Sequence, residues 1–349
     1  MPPLDARCTD LTSRQFGFEL GKIYVEHHFG ADSKQRISEI LREIKGAFRT
    51  LVQKIDWLTE PSRVNVLAKL AKVQDRVGYP DDDQWPEEVP ASAFTVNGQA
   101  LSSFFGAVLE ARRWTHHHEW SKFADAPDTN TWITTPQTVN AFYWHGPPAS
   151  MWFPAGILQP PFFDVNYPAA MNFGAIGLVM GHELVHGFDV HGVQWDGDGR
   201  KNGILDAQSQ AAFNERSQCI ARQYDTYAPA SDPELHVKGN QTLGENIADN
   251  GGMKLAQDAY YSWKAAHPDQ WRHMPMLSND QLFFVSYAQS WCSRRTPSSL
   301  RLLISTNEHS PAFARVRGVV TNSEAFSSAF HCCRGEDPLS PAEPCSLWE

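Results

Sequence analysis

An H-E-x-x-H pattern within an apolar run is the feature that most constrains how this chain can fold. His182 and His186 are four residues apart, Glu183 lies beside the first, and residues 171–180 before them are apolar enough for a buried helix. Residues four apart share a helix face, so both imidazoles can reach one ion. Imidazole is a good zinc ligand, and Glu183 would be close enough to act as general base on a zinc-bound water. A chance match would rarely lie in an apolar helix, so we predict one Zn²⁺ per chain.

A third protein ligand is expected, because a catalytic zinc keeps three protein ligands and one position for water. The best candidate lies in residues 242–252, TLGENIADNGG, where Glu245 and Asp249 are four apart. Glu245 could bind the metal while Asp249 holds a ligand histidine from behind. Thr242-x-x-Glu245 is also a capping box, in which Glu245 would only cap a helix start. Because the H-E-x-x-H pattern precedes it, we favour Glu245 as the ligand.

Several segments, taken together, resemble the neprilysin family of zinc metallopeptidases, which includes the endothelin-converting enzymes. They are residues 139–143 (VNAFY), 153–163 (FPAGILQPPFF), 182–189 (HELVHGFD) and 242–252. The resemblance extends from about Cys8 to Trp348. It implies a mainly α fold with a small β-sheet (α+β), a thermolysin-like zincin catalytic domain. Residues 1–130 would form a helical scaffold portion and residues 131–349 the zinc peptidase core. Family members are about twice as long, so we expect this chain to match their C-terminal catalytic half.

The resemblance also implies a role for individual residues. The metal ligands would be His182, His186 and Glu245, with Asp189 and Asp249 orienting the histidines. His309 would stabilise the oxyanion and Arg315 would bind a substrate carbonyl, although His309 by itself reads as a surface loop histidine. Residues expected to bind the substrate backbone or to line the pocket after the scissile bond are Asn140, Ala141, Ile157, Phe162, Val179 and Trp291. Ser290 stands where relatives often carry valine, which leaves the shape of that pocket open.

Composition excludes several other classes of protein. The chain has 349 residues, of which 42% are hydrophobic, so it can bury a substantial core. Its net charge of −10 is spread along the chain, which argues against nucleic-acid binding and says little about the substrate. Peptide substrates are the partners that the family resemblance implies. The N-terminus does not read as a signal peptide, and no run of apolar residues is long enough for a transmembrane span. Any membrane tether would depend on a missing N-terminal segment.

The cysteines favour an oxidising compartment. Six are present without a CxxC pattern, and Asn240-Gln241-Thr242 is an acceptor sequon for N-glycosylation. The resemblance implies a Cys219–Cys345 disulfide, while Cys8, Cys292 and one of Cys332 and Cys333 would pair with a half that this chain lacks. We therefore expect an extracellular or cell-surface protein. The missing export signal leaves a cytosolic hydrolase as the alternative.

Local patterns predict individual elements. Apolar residues at spacings of three and four predict a helix over residues 33–58. A second helix is expected after Pro61, with Val64, Leu67, Ala68 and Ala71 inward and with Gly78 and Pro80 ending it. Strands are expected over residues 132–134 and 139–143, and a buried helix over residues 282–288.

Two functions follow from these patterns. The first is a zinc-dependent metalloendopeptidase that hydrolyses short peptides, with Glu183 as the base. The second is a catalytically inactive truncated paralogue that acts as a binding or scaffold protein. The complete set of ligands and acid–base residues favours the enzyme.

Overall fold

Helices dominate the computed structural model, which describes residues 3–82, 84–86, 89–90, 93, 95–96, 99–100, 103–125, 129–268 and 276–348. Helix makes up 57% and strand 4% of the structure, so the predicted mainly α fold with a small sheet is confirmed. The helices are α1 (Leu4–Gln15), α2 (Gly17–His28), α3 (Ala31–Lys54), α4 (Glu60–Lys72), α5 (Phe104–Ser121), α6 (Ala169–Asn172), α7 (Leu178–His186), α8 (Ala207–Asp225), α9 (Leu243–Ala266), α10 (Asn279–Ser290), α11 (Pro297–Thr306), α12 (Ala312–Asn322) and α13 (Glu324–Phe330). A π-helical segment, Phe173–Gly177, joins α6 to α7, and a 3₁₀ turn spans Gly192–Gln194.

The strands are short. They are β1 (Gln74–Gly78), β2 (Thr95–Val96), β3 (Gln99–Ala100), β4 (Phe142–Trp144) and β5 (Ser150–Pro154). One sheet has the order β1–β5–β4, and β2 pairs with β3. In the antiparallel pair of β4 and β5, Phe142 faces Trp152 and Trp144 faces Ser150. The predicted strand over residues 132–134 is wrong, because this segment runs into a turn closed by Thr138 N–H and Thr135 O. The predicted strand over 139–143 begins only at Phe142.

The chain divides into two compact units, the first of which comprises Met1–Ala31, Val77–Asn140 and Pro154–Gly156. Within it, α1 packs against α2 and α5. Gln137 Nε2 donates to Gly17 O at 2.9 Å and thereby fixes the start of α2. The division expected at residue 130 separates portions of the family domain, not compact units of the structure. It stays a prediction.

The second unit comprises Asp32–Arg76, Ala141–Phe153 and Ile157–Glu349. Its core contains an aromatic cluster around Trp348, whose ring centroid lies 5.5 Å from Phe48 and 5.2 Å from Trp57. Trp348 Nε1 donates to Phe188 O at 3.1 Å, which satisfies the polar atom of a buried indole. The apolar stripe predicted for residues 33–58 is confirmed on α3, where Ile37, Ile44 and Phe48 are buried.

The buried face of α4 differs from the prediction. Val64 is 54% exposed, and the buried residues are Ser62, Val66, Lys69 and Leu70. The prediction counted apolar residues only, whereas two polar residues share this face because they have partners. The helix also ends at Lys72, before Gly78, because the following residues form β1.

A disulfide joins α8 to the C-terminal segment. The sulfurs of Cys219 and Cys345 are bonded, so this predicted pair is confirmed, while Cys8, Cys292, Cys332 and Cys333 are free. Among the residues that the structure describes, no helix combines the length and the apolar character needed to cross a membrane.

Candidate metal centre

The close crossing of α7 and α9 places four of the predicted site residues together. His182 and His186 lie one turn apart on α7, and Glu245 and Asp249 lie one turn apart on α9. Glycines allow the helices to approach: a Cβ on Gly181 would lie 2.6 Å from Gly252 O, and one on Gly252 would lie 2.6 Å from His182 N. The positions of the two histidines relative to Glu245 therefore depend on these glycines.

Replacing Gly252 with alanine is expected to push the helices apart. The added methyl group meets the backbone of His182, which cannot move without moving α7, so we expect a loss of about 1–3 kcal/mol in unfolding free energy and weaker metal binding. Urea unfolding and zinc titration measure both. Gly46→Ala is the matched control, because a Cβ there meets nothing within 4 Å. The control should be neutral or stabilising by up to about 1 kcal/mol. Equal effects at both positions would contradict the packing argument.

Three side chains converge on one point. His182 Nε2 lies 2.9 Å from His186 Nε2 and 3.3 Å from Glu245 Oε2, and His186 Nε2 lies 3.5 Å from Glu245 Oε1. Two ligand atoms on one tetrahedral zinc ion lie about 3.3 Å apart, given bonds of about 2.0–2.1 Å. The spacing therefore suits a single small cation.

In the neutral form of each imidazole, a carboxylate beside Nδ1 favours the proton on that outward nitrogen. His182 Nδ1 lies 2.9 Å from Asp249 Oδ1, and His186 Nδ1 donates to Asp189 Oδ2 at 2.8 Å. Both Nε2 atoms are then left with lone pairs that point at each other and at a carboxylate. Such a group is repulsive unless a positive charge lies between its members.

The pKa values of His182 and Glu245 also indicate that a positive charge is favoured between these side chains. Burial would lower the pKa of His182, but its hydrogen bonds with Asp249 and Glu245 raise it to about 10. Burial would raise the pKa of Glu245, but the hydrogen bond and charge of His182 lower it to about 2. Either a proton or a metal ion can supply the charge. Glu245 Oε2 is buried, 3.3 Å from His182 Nε2 and 3.2 Å from His309 Nε2, which fits an oxygen that binds a metal ion beside imidazole nitrogens.

Thr242 and Glu245 do not form the capping box that their spacing allows. It occupies the N-cap position of α9 without a side-chain capping hydrogen bond, so the capping-box interpretation is not what the structure shows. Asn246 Nδ2 donates to Thr242 Oγ1 at 2.8 Å instead. The carboxylate of Glu245 is thus left facing the histidines.

Behind His182 lies a buried ion pair. Arg315 donates from Nε and Nη2 to the two oxygens of Asp249, both at 2.6 Å, and its guanidinium lies 3.9 Å from the ring centroid of Trp291. Burial opposes ionisation of Asp249, but Arg315 and His182 hold the pKa of this carboxyl well below its usual range. Asp249 is therefore an anion fixed by Arg315, able to orient His182.

His309 also lies beside Glu245. Its Nε2 is 3.2 Å from Glu245 Oε2, and its Nδ1 is 3.1 Å from Asn307 Oδ1. The side chain is 43% exposed, so the ring can meet a molecule that arrives from solvent. Ser310 Oγ donates to Asn246 Oδ1 at 2.7 Å and ties this loop to α9.

Glu183 follows His182 directly on α7, and its side chain is buried. Burial raises its pKa, although His182 and His186 oppose the shift. A carboxylate with a raised pKa is a stronger base than an exposed glutamate, as proton transfer at neutral pH requires.

The remaining predicted residues differ in exposure. Ala141 and Ile157 are buried, Asn140 is exposed, and Phe162, Val179 and Trp291 are half-buried. Their substrate-binding roles stay predictions.

Comparison with known proteins identifies the family. Two models described as Peptidase family M13 match residues 140–347 and residues 1–80. The chain belongs to peptidase family M13. The predicted resemblance to neprilysin and the endothelin-converting enzymes is thereby confirmed, and membership in this family of zinc metallopeptidases implies zinc as the cation.

Relatives of this M13 chain are longer than it is. Endothelin-converting enzyme-like 1 of Homo sapiens is 37% identical over 344 residues, which are 98% of this chain and 43% of that protein. Neprilysin-1 of Caenorhabditis elegans is 37% identical over 98% of this chain and 45% of its own length. The structure of Mycobacterium tuberculosis zinc metalloprotease ZMP1 in complex with inhibitor superposes with a TM-score of 0.87 at 33% identity, covering 98% of this chain and 51% of that one. The chain thus spans less than half the length of these curated relatives.

Sequence reasoning missed the residues that support the candidate metal ligands. Asn246, Asn307 and Ser310 position the side chains around Glu245, and Lys69 lies buried under the segment that follows α7. A signal was present for Lys69: it shares the buried helical stripe of Ser62 and Val66, and a lysine on such a stripe needs a partner.

Proposed function

We propose that this chain is a zinc-dependent endopeptidase that hydrolyses short peptides. The observation that carries the proposal is the convergence of the Nε2 atoms of His182 and His186 with the mostly buried carboxylate of Glu245, at distances of 2.9–3.5 Å. Two imidazoles and one carboxylate are a ligand set found at catalytic zinc sites in peptidases, where the fourth position is open.

In this proposal His182, His186 and Glu245 hold the metal, and Asp249 and Asp189 fix the proton on the outer nitrogen of each histidine. Zinc, when bound, supplies a Lewis acid that polarises the scissile carbonyl and promotes ionisation of the attacking water. Glu183 takes a proton from the water and delivers it to the leaving amine. His309 donates a hydrogen bond to the developing oxyanion, which is usually a large catalytic contribution.

An extended peptide is the substrate that the fold can accommodate. β4 is the last strand in the order β1–β5–β4, so its outer edge can pair with a peptide main chain. We propose that Ala141 contributes there by its main chain and Asn140 by its side chain. We also propose that Arg315 reaches a substrate carbonyl while it remains paired with Asp249, and that Ile157, Phe162, Val179 and Trp291 shape the pocket after the scissile bond.

The disulfide supports a location outside the cytosol. Cys219 and Cys345 are bonded, and such bonds persist in oxidising compartments. We therefore propose an extracellular or cell-surface protein.

Turnover of a short internally quenched peptide tests the proposed function. We expect fluorescence release by the purified chain, loss of activity with a zinc chelator, and recovery when zinc is added back. A protein that binds one zinc ion but cleaves no peptide in a diverse library would instead support the binding or scaffold role. Fully active protein after complete removal of metal would refute the zinc mechanism.

A further inference from the structure

Lys69 is a buried cation outside the group of predicted site residues. It lies on α4 with only 1% of its surface exposed. Its Nζ donates to Gly192 O at 2.7 Å and to Trp195 O at 2.8 Å, and it lies 5.4 Å from the ring centroid of Phe188. Burying an ammonium group is costly unless its donors are satisfied, so these contacts fix both the lysine and the two carbonyls.

The segment that Lys69 holds is the one that supports Asp189. Gly192 N–H donates to Asp189 Oδ1 at 2.7 Å, and His191 N–H donates to the same oxygen at 2.8 Å. The other oxygen, Oδ2, accepts from His186 Nδ1. Gly192 is therefore held at its carbonyl by Lys69 and holds Asp189 by its amide.

Close packing makes this segment sensitive to small shifts. A Cβ on Gly192 would lie 2.2 Å from His186 O, so the chain folds back directly onto the end of α7. Without Lys69, Trp195 O would lose its donor and Gly192 O would keep only the N–H of Trp195 at 3.0 Å, so we expect this part of the segment to shift. A shift that carries the Gly192 Cα along with its carbonyl would also displace the Gly192 amide, which is bonded to that Cα.

We propose that Lys69 is a positioning residue for the metal ligand His186, acting through Gly192 and Asp189. The inference rests on the proposed zinc site and goes beyond it by assigning a role to a residue that touches neither metal nor substrate. Lys69 would then contribute specifically to the geometry of His186, in addition to any general contribution to folding.

Zinc affinity of Lys69→Met, measured by competition with a chromogenic chelator, tests the inference. Loss of a group next to a ligand histidine, such as Asp189, weakens metal binding by about 10–100-fold, and Lys69 acts two residues further away, so we expect the low end of this range, about tenfold. Lys72→Met is the matched control: it removes a lysine from the same helix, where Nζ pairs with Asp198 at 2.6 Å and both side chains are about half exposed. The control should change zinc affinity by less than about twofold, as expected for a surface ion pair.

Two further measurements distinguish positioning from stability. The visible spectrum of the cobalt-substituted protein should change in Lys69→Met and stay unchanged in Lys72→Met. In a double-mutant cycle, the losses of zinc affinity from Lys69→Met and Asp189→Asn should be less than additive, because they break the same chain of contacts. Lys69→Arg, which keeps a charged donor, should recover part of the affinity.

Failure of the Lys69 inference and failure of the proposed zinc site would give different results. A folded Lys69→Met protein with wild-type zinc affinity and spectrum would overturn the inference and leave the zinc site intact. If Lys69→Met does not fold, Lys69→Gln, which keeps a donor for one carbonyl, takes its place with the same criterion. Wild-type protein that binds no zinc would overturn the proposed function and the inference with it.

Discussion

Glu183→Gln is expected to leave zinc binding intact and to reduce kcat by about 10²–10⁴-fold, the usual contribution of a general base. The amide has nearly the shape of the carboxylate but cannot accept a proton from water. Glu183 is buried and its pKa is raised, so the neutral side chain should be tolerated at this position. Zinc stoichiometry, kcat and the thermal midpoint, measured together, separate loss of chemistry from loss of metal or fold.

Glu324→Gln is the control for this variant, because Glu324 is exposed and pairs with Arg334 on the surface. It should retain wild-type turnover. If Glu183→Gln cleaved the same peptide at the wild-type rate, another group would have to serve as the base.

Glu245→Ala is expected to lose the metal. Removing a supporting group next to a ligand already costs about 10–100-fold in affinity, so removing a ligand should cost more than about 100-fold. The variant also removes one of the two carboxylates that stabilise the protonated form of His182, the other being Asp249, so the pKa of His182 should fall from about 10. Zinc content after dialysis and activity with excess zinc measure the effect.

Glu308 provides the matched comparison for Glu245. Its carboxylate, Glu245 and His309 form a second group whose ligand atoms all lie within 4.8 Å of one another, so Glu308 is the rival for the third ligand. We expect Glu308→Ala to keep its zinc. Zinc retained at full stoichiometry by Glu245→Ala and lost by Glu308→Ala would assign the ligand to Glu308.

Arg315 was predicted as a site residue, but its partner in the structure was not predicted. The family resemblance gave it a role toward substrate, and nothing in the sequence linked it to Asp249, 66 residues earlier. In the structure its guanidinium fixes Asp249, which in turn lies against His182. Arg315 thus reaches the candidate metal centre through an ion pair that could not be predicted from local pattern.

The α4 helix shows the opposite case, in which a local rule failed. Apolar spacing favoured Val64 and Leu67 as inward residues, yet Ser62 and Lys69 occupy the buried face. Ser62 Oγ accepts from Asp206 N–H at 2.9 Å, and Lys69 reaches the carbonyls after α7. Hydrogen bonds to distant backbone groups outweighed the apolar pattern, because a satisfied polar side chain can be buried.

The amino-acid sequence determined the family, the helical character, the Cys219–Cys345 pair and the two ligand pairs that share a helix face, His182 with His186 and Glu245 with Asp249. These follow from spacing within one turn of helix or from a family pattern. Only the tertiary structure decided how the pairs meet, which residues support them, and that Lys69 lies beneath Asp189. Those contacts join segments far apart in the chain through glycine-to-backbone packing and buried hydrogen bonds, and neither is encoded in a local period.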